Sequence, residues 1–293
     1  MHQSLSINGH TISVLNLNSV DTPGQPIILL HGIGGSVNFW GEDQTQVFLK
    51  QGPCYCMSLP GHYPAAFPKG FHKEQITTRM LAELVTKAIQ ESVGDRPVTL
   101  VGMSTGGFLA LAISALEPKI ASRVVCISGF CQGKWTGAFG LFQKLARGGW
   151  IGHAIFKLLY RRPNISIEQF SKQWSVYASD VKAMYAYPSF RANVNASYNF
   201  FKQLNLNSLI DYFSVMPDID IRDWLPKISA PTLIIAGEHD PIVPPSQAVL
   251  IKQGVSNAEL KMIAGGGHML FAERPLEYQQ ALSTWFDRKH VPN

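Results

Sequence analysis

The sequence predicts an α/β fold: a mostly parallel sheet with helices on both faces and an inserted helical segment. Two observations favour it. Short apolar runs that stop at glycine, proline or histidine alternate with segments of helical periodicity, and strands that alternate with helices pair in parallel. The chain has 293 residues, 46% of them hydrophobic and 15% charged, which is enough to bury one large globular core.

The N-terminal flank contains the first predicted strands. Residues 4–16 alternate apolar and polar side chains around Asn8-Gly9, a dipeptide that favours the turn of a β-hairpin. Residues 26–30 and 54–59 are apolar runs of strand length, each followed by a glycine-containing turn. Residues 76–91 carry apolar side chains at helical spacing, so we expect a helix there that Gly94 ends.

The same alternation continues to the end of the chain. Further strands are predicted at residues 98–101, 124–128, 231–236 and 259–263. A helix is expected over residues 108–116, directly after the first of these strands. Pro275 opens a final helix through Trp285, because proline is well tolerated at a first helical position.

Residues 131–222 differ in composition from both flanks. They contain eleven Lys/Arg and five Asp/Glu, a net charge of +6 in a chain whose total is +5. They also hold 17 of the 31 aromatic residues, most of them at helical spacing. We therefore predict a basic, aromatic, helical unit inserted into a core formed by residues 1–130 and 223–293. No nucleic-acid-binding motif accompanies the charge, so nucleic acid is not an expected partner.

Three chemically distinctive residues follow three of the predicted strands. Ser104 comes after the strand at 98–101, Asp240 after that at 231–236, and His268 after the last. Because ligands of parallel sheets gather beyond the carboxyl ends of the strands, these side chains are expected at one edge. Histidine can take the proton of a serine hydroxyl, and a carboxylate can orient the imidazole and stabilise its charged form. The set suits nucleophilic acyl transfer.

Glycines next to Ser104 support this interpretation. Gly102 and Gly106 leave room for a sharp turn from strand to helix that lifts the hydroxyl clear of the backbone. Such a turn also directs the helix N-terminus, including the Thr105 N–H, towards a developing oxyanion.

These residues resemble the α/β-hydrolase superfamily. The likeness rests on GMSTG at 102–106, HGIGG at 31–35, GEHDPIVP at 237–244 and GGGHMLFAERP at 265–275, in the order Ser, Asp, His. It implies the α/β-hydrolase fold, Ser104 as nucleophile, Asp240 and His268 as its triad partners, and the N–H groups of Ile33 and Thr105 as oxyanion donors. Residues 131–222 would then be the helical cap, or lid. Residues 58–64, SLPGHYP, depart from the D-x-x-G-x-G-x-S pattern of many members, which puts the contacts of that loop in doubt.

Each candidate also has a structural interpretation. Ser104 and Asp240 suit turns, and His268 suits an ordinary loop. His31 and His62 are expected to brace loops rather than to transfer protons. The cap aromatics are expected mostly to pack, with a minority lining a substrate pocket: Trp135, Phe139, Phe142, Trp150, Phe156, Trp174 and Tyr177.

Three functions remain open from the sequence. The leading one is a serine hydrolase that cleaves a carboxylic ester or thioester with a sizeable apolar acyl or alcohol group through an acyl-enzyme. The second is a carbon–carbon bond hydrolase or lyase with the same fold. The third is a non-enzymatic receptor that binds a small ligand.

Cofactors, partners and location follow from what the sequence lacks. No metal-ligand spacing and no dinucleotide-binding fingerprint is present, so no metal or other cofactor is expected. The expected partner is a small-molecule substrate, with an anionic carrier as a further candidate for the cationic cap. Neither a secretory signal nor a transmembrane run is evident, which predicts a cytoplasmic protein with four reduced cysteines. The oligomeric state stays open.

Overall fold

A computed structural model describes residues 2–161 and 165–288. Within them, one sheet of eight strands has the order β1-β2-β4-β3-β5-β6-β7-β8. The strands are β1 His2–Ile7, β2 His10–Asn16, β3 Ile27–Leu30, β4 Cys54–Met57, β5 Val98–Met103, β6 Ala121–Ile127, β7 Thr232–Gly237 and β8 Ala258–Ile263. β1 and β2 pair antiparallel, β2 also pairs antiparallel with β4, and all other neighbours are parallel. The predicted fold class, a mostly parallel sheet, is confirmed.

Helices connect the parallel strands. Those of the core are α1 Glu42–Leu49, α2 Thr78–Val93, α3 Thr105–Leu116, α10 Ser246–Gly254, α11 Leu270–Glu273 and α12 Pro275–Phe286. Six more lie between β6 and β7 in the described residues: α4 Gly137–Ala146, α5 Gly149–Tyr160, α6 Ile167–Gln173, α7 Val181–Ala186, α8 Phe190–Gln203 and α9 Leu206–Val215. These helices fall inside the predicted insert. The division into core and cap stays a prediction.

Most of the inner strands are buried along their whole length. Every residue of β3, β5 and β7 is buried, as expected for parallel strands covered by helices on both faces. At the two edges, β1 and β8 alternate or expose part of their residues. The hairpin between β1 and β2 turns at Asn8 and Gly9, both with positive φ (52° and 80°), which suits this dipeptide.

Element ends differ from the predicted bounds by a few residues. α3 begins at Thr105 rather than at residue 108, because the chain turns directly into the helix after Ser104. β4 ends at Met57, two residues before the predicted end. α1 and α10 are short, partly polar helices without a clear apolar stripe, and the sequence pattern did not predict them.

Two further features bear on the predictions. Among the described residues, no helix combines the length and the apolar character needed to cross a membrane. All four cysteines are free thiols in buried positions: Cys54, Cys56, Cys126 and Cys131.

Candidate active site

The carboxyl ends of β5, β7 and β8 bring the predicted triad residues to one edge of the sheet. Ser104 directly follows β5, and the loops after β7 and β8 carry Asp240 and His268. His268 Nδ1 lies 2.6 Å from Asp240 Oδ2. Ser104 and His268 line the same cavity. His268 therefore contacts Asp240 directly and shares the cavity wall with Ser104.

Ser104 has an unusual backbone conformation. Its φ of 55° and ψ of −117° lie outside the regions that non-glycine residues normally occupy. Its N–H donates to the Ile127 carbonyl on β6 at 2.8 Å, which holds the turn against the sheet. A Cβ atom at Gly102 would overlap the Gly106 carbonyl, and one at Gly106 would overlap the Leu30 carbonyl. Glycine at both positions is what allows this turn.

Asp240 is fixed by its own loop. Its Oδ1 accepts hydrogen bonds from the N–H groups of Ile242 (2.8 Å) and Val243 (2.9 Å), which leaves Oδ2 for the histidine. The side chains of Asp240 and His268 are only 3% and 2% exposed. Because an ionised carboxylate can only accept, Nδ1 of His268 is the donor in this pair. In the neutral ring the other nitrogen, Nε2, then carries a free lone pair and can act as a base.

The backbone of His268 is anchored on both sides. Its N–H donates to the carbonyl of Tyr177 (3.0 Å), a residue of the segment between α6 and α7. Its carbonyl accepts a hydrogen bond from the Ser128 hydroxyl at 3.0 Å. The ring of Tyr177 also stacks beside the imidazole, with centroids 6.2 Å apart. Residues of the predicted insert thus help to hold the histidine in place.

A buried glutamate, which the sequence analysis missed, connects the same two segments. Glu273 is 2% exposed and accepts five hydrogen bonds. Two come from the N–H groups of Gly267 and Met269, on either side of His268. The others come from Ser179 and from the Asp180 N–H, between α6 and α7. One sign of this role was present in the sequence: an acidic residue, Glu273, directly follows the apolar run Met269 to Ala272.

The loop after β3 is braced by His31. Its Nε2 accepts the Leu59 N–H at 3.0 Å, so its Nδ1 carries the proton and donates to the Gly32 carbonyl at 2.7 Å. The Gly35 N–H donates to that same carbonyl at 3.0 Å. Burial, helped by the neighbouring His62, lowers the pKa of His31 to about 3, so the ring is neutral. His31 therefore holds the loop, in agreement with its structural interpretation.

The two predicted oxyanion donors occupy suitable elements. Ile33 lies in this braced loop and lines the cavity beside Ser104. Thr105 is the first residue of α3, where amide groups have no acceptor within the helix. The N-terminal end of α3 also carries the positive end of the helix dipole.

A cavity lies over Ser104 and His268, with about 1040 Å³ of empty space when the open solvent at its mouth is included. Its walls are mainly aromatic and aliphatic. The described residues that line it include His268 but no Asp, Glu, Lys or Arg. The residues of the predicted cap that line it are Phe139, Phe142, Leu159, Tyr160, Phe170, Gln173, Trp174, Val176, Tyr177, Ser197, Phe200 and Phe201.

Two tyrosine hydroxyls are among the polar groups in this mainly apolar wall. Burial raises the pKa of Tyr160 well above its ordinary value, and the Tyr177 hydroxyl beside it raises it further. Burial raises the pKa of Tyr177 to about 12. Both therefore stay protonated and can donate hydrogen bonds. A Cβ atom at Gly34 (φ 74°) would overlap the Tyr160 hydroxyl, which places this hydroxyl against the loop that carries Ile33.

Other ionisable residues of these loops are either exposed or buried and neutral. The side chains of Glu238 and His239, which precede Asp240 in the chain, are 54% and 63% exposed. His62 is buried, contacts the Pro60 carbonyl at 3.2 Å through Nδ1, and packs edge-on against Tyr212. Burial lowers the pKa of His62 to about 4, so it is also neutral.

Comparisons with known proteins agree with this architecture. The family model described as alpha/beta hydrolase fold matches residues 25–275. A 2-hydroxy-6-oxononadienedioate/2-hydroxy-6-oxononatrienedioate hydrolase of Klebsiella pneumoniae is 24% identical over 96% of this chain and 93% of its own length. A pyrrolizixenacetamide deacetylase of Xenorhabdus hominickii is 25% identical over 93% of this chain and 95% of its own.

Solved structures show the same fold. The esterase EaEST from Exiguobacterium antarcticum superposes with a TM-score of 0.76 at 17% identity, over 98% of this chain and 100% of that one. The prediction of an enzyme of the serine-hydrolase type is confirmed at the level of this family. Because the matched residues span most of its length, the chain belongs to the alpha/beta hydrolase family.

Proposed function

We propose that this protein is a serine hydrolase that cleaves a carboxylic ester or thioester with a sizeable, uncharged apolar group. One observation carries the proposal: Ser104 and His268, which is hydrogen-bonded to Asp240, both line one largely apolar cavity. A reactive serine needs the base and its orienting acid, and an apolar acyl group needs the cavity.

In the proposed reaction, the Ser104 hydroxyl attacks the carbonyl carbon of the substrate. His268 Nε2 takes the serine proton, and Asp240 stabilises the imidazolium that forms. The tetrahedral oxyanion accepts hydrogen bonds from the N–H groups of Ile33 and Thr105, and loss of one such donor typically costs a factor of ~10²–10³ in turnover. Its collapse passes the proton to the leaving alcohol or thiol and leaves an acyl-enzyme, which water hydrolyses by the same steps.

The cavity wall argues for an uncharged substrate. A charged group that enters an apolar cavity loses its hydration, at a high cost in free energy unless a counter-charge is present. Among the described lining residues, His268 is the sole group that can carry charge, and it already pairs with Asp240. An anionic carrier, if the substrate has one, would therefore stay outside, near the basic surface of residues 131–222.

Labelling with a fluorophosphonate probe tests the nucleophile. The wild type should react covalently, whereas Ser104→Ala should not. Ser197→Ala is the matched control, because Ser197 lines the same cavity but lies on α8, outside the Ser104 turn and the His268 loop. Equal labelling of wild type and Ser104→Ala would overturn the assignment. A series of aryl esters and thioesters of increasing acyl length would then measure how deep a chain the cavity accepts.

A second candidate is carbon–carbon bond hydrolysis. It is favoured by the Klebsiella relative, which aligns along nearly the whole chain and bears the name of a hydrolase of an unsaturated dienedioate. The lack of a cation in the described cavity wall argues against such a dianionic substrate here. Assay of a vinylogous diketone acid beside the ester series separates the two, since a higher kcat/KM for the diketone would refute the ester proposal.

Three other expectations stay predictions. A non-enzymatic receptor would leave Ser104 unlabelled and still bind a small apolar ligand tightly. Residues 131–222 are proposed to act as the cap that closes the cavity. A cytoplasmic location is likewise a proposal, and a cell fractionation experiment would test it.

A further inference from the structure

Helix α5 is apolar on both of its sides. One side, with Gly152, Phe156 and Tyr160, is buried against the rest of the protein. The other side is exposed: Trp150 81%, Leu158 56%, Ile151 54%, Leu159 42% and Ile155 40%. Leu141 on α4 is also 49% exposed. We call these six residues the α5 face. A continuous exposed apolar surface of this kind marks an interaction site, because single exposed apolar residues are normally scattered.

The charged residues of the segment that carries the α5 face are all basic. Residues 134–161 include Lys134, Lys144, Arg147, Lys157 and Arg161 but no Asp or Glu. Arg147 is paired with Asp218 at 2.6 Å, and Arg161 donates to the carbonyls of Lys202 and Leu204. Lys144 and Lys157 are exposed, on α4 and α5 respectively. The surface thus joins apolar side chains to exposed ammonium groups.

The α5 face also borders the mouth of the cavity. Leu159 belongs to this face and lines the cavity as well. Val176, which is 40% exposed, lines the cavity too. An apolar molecule that moves from the α5 face to the cavity therefore passes over apolar side chains.

We propose that the α5 face docks on the surface of an anionic lipid bilayer. An apolar helix face with a tryptophan and flanking lysines is suited to the boundary between headgroups and acyl chains, where anionic lipids attract the ammonium groups. Docking would turn the cavity mouth towards the acyl chains, so that an apolar ester passes from the bilayer to Ser104. This last step rests on the proposed hydrolase function, whereas the docking itself does not.

A second copy of the chain fits the same surface less well. A two-fold dimer places the same patch on both sides of the interface. Lys144 and Lys157 of one copy would then face a surface with the same positive charge. No Asp or Glu in residues 134–161 is present to neutralise them. An anionic membrane supplies that opposite charge.

Co-sedimentation with vesicles tests the docking. We compare vesicles of phosphatidylcholine alone with vesicles of equimolar phosphatidylcholine and phosphatidylglycerol. The wild type should partition more strongly to the anionic vesicles, and added salt should weaken the binding. Lys144→Gln and Lys157→Gln should each weaken it about fivefold, with exposed Lys252→Gln on α10 as the control. The double variant Trp150→Ser with Leu158→Ser should weaken vesicle binding tenfold or more, because it removes apolar side-chain area that the bilayer would bury.

The control for the apolar change is Leu276→Ser. Leu276 on α12 is 81% exposed, as Trp150 is, but lies outside the α5 face. Its variant should bind vesicles as the wild type does. Thermal unfolding of each variant checks that the fold is intact. Equal binding by the double variant and the wild type, or no preference of the wild type for anionic vesicles, would overturn the proposal.

Two arms separate this proposal from its alternatives. Ser104→Ala retains the α5 face, so it should bind vesicles as the wild type does even where it fails to react with the fluorophosphonate probe. An inert Ser104 with normal vesicle binding would refute the hydrolase and leave the docking intact. A wild type that is dimeric by light scattering, and monomeric only after the double change, would assign the α5 face to a second copy and refute membrane docking.

Discussion

Glu273→Gln tests whether the buried glutamate positions His268, the proposed general base. The change keeps the shape of the side chain and removes its charge. With the amide oxygen in the place of Oε2, four of the five hydrogen bonds persist, from Ser179, Asp180 and Gly267. The amide NH₂ then points at the Met269 N–H, which loses its acceptor. Two donors face each other inside the protein.

The expected cost is large for a nearly isosteric change. A buried donor left without an acceptor costs roughly 1–3 kcal/mol. The four remaining hydrogen bonds become neutral and lose about half of their strength. We expect the free energy of unfolding to fall by about 3–5 kcal/mol. Because Gly267 and Met269 flank His268, the loop should also loosen, and kcat should fall about tenfold to a hundredfold.

The measurements are urea unfolding and steady-state kinetics on the preferred aryl ester, at a temperature where the variant is fully folded. A positioning role predicts a fall in kcat with little change in KM, whereas a purely structural role predicts unchanged kinetics of the folded enzyme. Glu277→Gln is the control, because Glu277 is exposed one turn further along, on α12. Unfolding and kcat equal to those of this control would refute the role assigned to Glu273.

Three further predictions concern the elbow, the cavity and acid stability. Gly106→Ala should lower the free energy of unfolding by about 2–4 kcal/mol in urea, since its Cβ would overlap the Leu30 carbonyl, and unchanged stability would contradict this. Tyr160→Phe should lower kcat/KM for the preferred ester up to about tenfold, at equal stability, if its hydroxyl orients the substrate. His31 and His62 have folded-state pKa values of about 3 and about 4, below the unfolded value of about 6.5. In acid the unfolded chain therefore binds more protons than the folded one. The contribution of these two histidines to the free energy of unfolding is fully present above pH ~6.5. As the pH falls from there towards ~4, each histidine lowers the free energy of unfolding by about 1.4 kcal/mol per pH unit. Urea unfolding across this range should show that His62→Phe removes about half of the slope.

The fold and the position of Ser104, Asp240 and His268 at one edge of the sheet were predictable because their signals are local. The Ser104 turn needs glycine at fixed positions, where any Cβ would overlap the backbone. Ser104 and Asp240 follow apolar runs that form the fully buried strands β5 and β7, and His268 follows the glycine-rich loop after β8. These signals depend on neighbours a few residues away, so the sequence contains them in readable form.

Glu273 and Tyr160 were not predictable for the opposite reason. Glu273 acts on Ser179, which is 94 residues away in the chain. Tyr160 lies against Gly34, on a loop more than a hundred residues earlier. No periodicity reports contacts between such distant segments. The role of both residues depends on how the helices between β6 and β7 lie over the core, and pattern alone does not determine that arrangement.

Trp150 shows the limit of periodicity most clearly. Helical spacing of aromatics tells which residues share a face, but it does not tell whether another element covers that face. The packing interpretation holds for Phe156, which is fully buried, and is wrong for Trp150, which is 81% exposed on the same helix. In sequence, an all-apolar helix in the protein interior and one that lies on a membrane look alike. Only the neighbours of α5 distinguish them, and on the Trp150 side the described chain provides none that bury it. The burial pattern of α5, rather than its composition, is therefore what connects the apolar cavity to the bilayer.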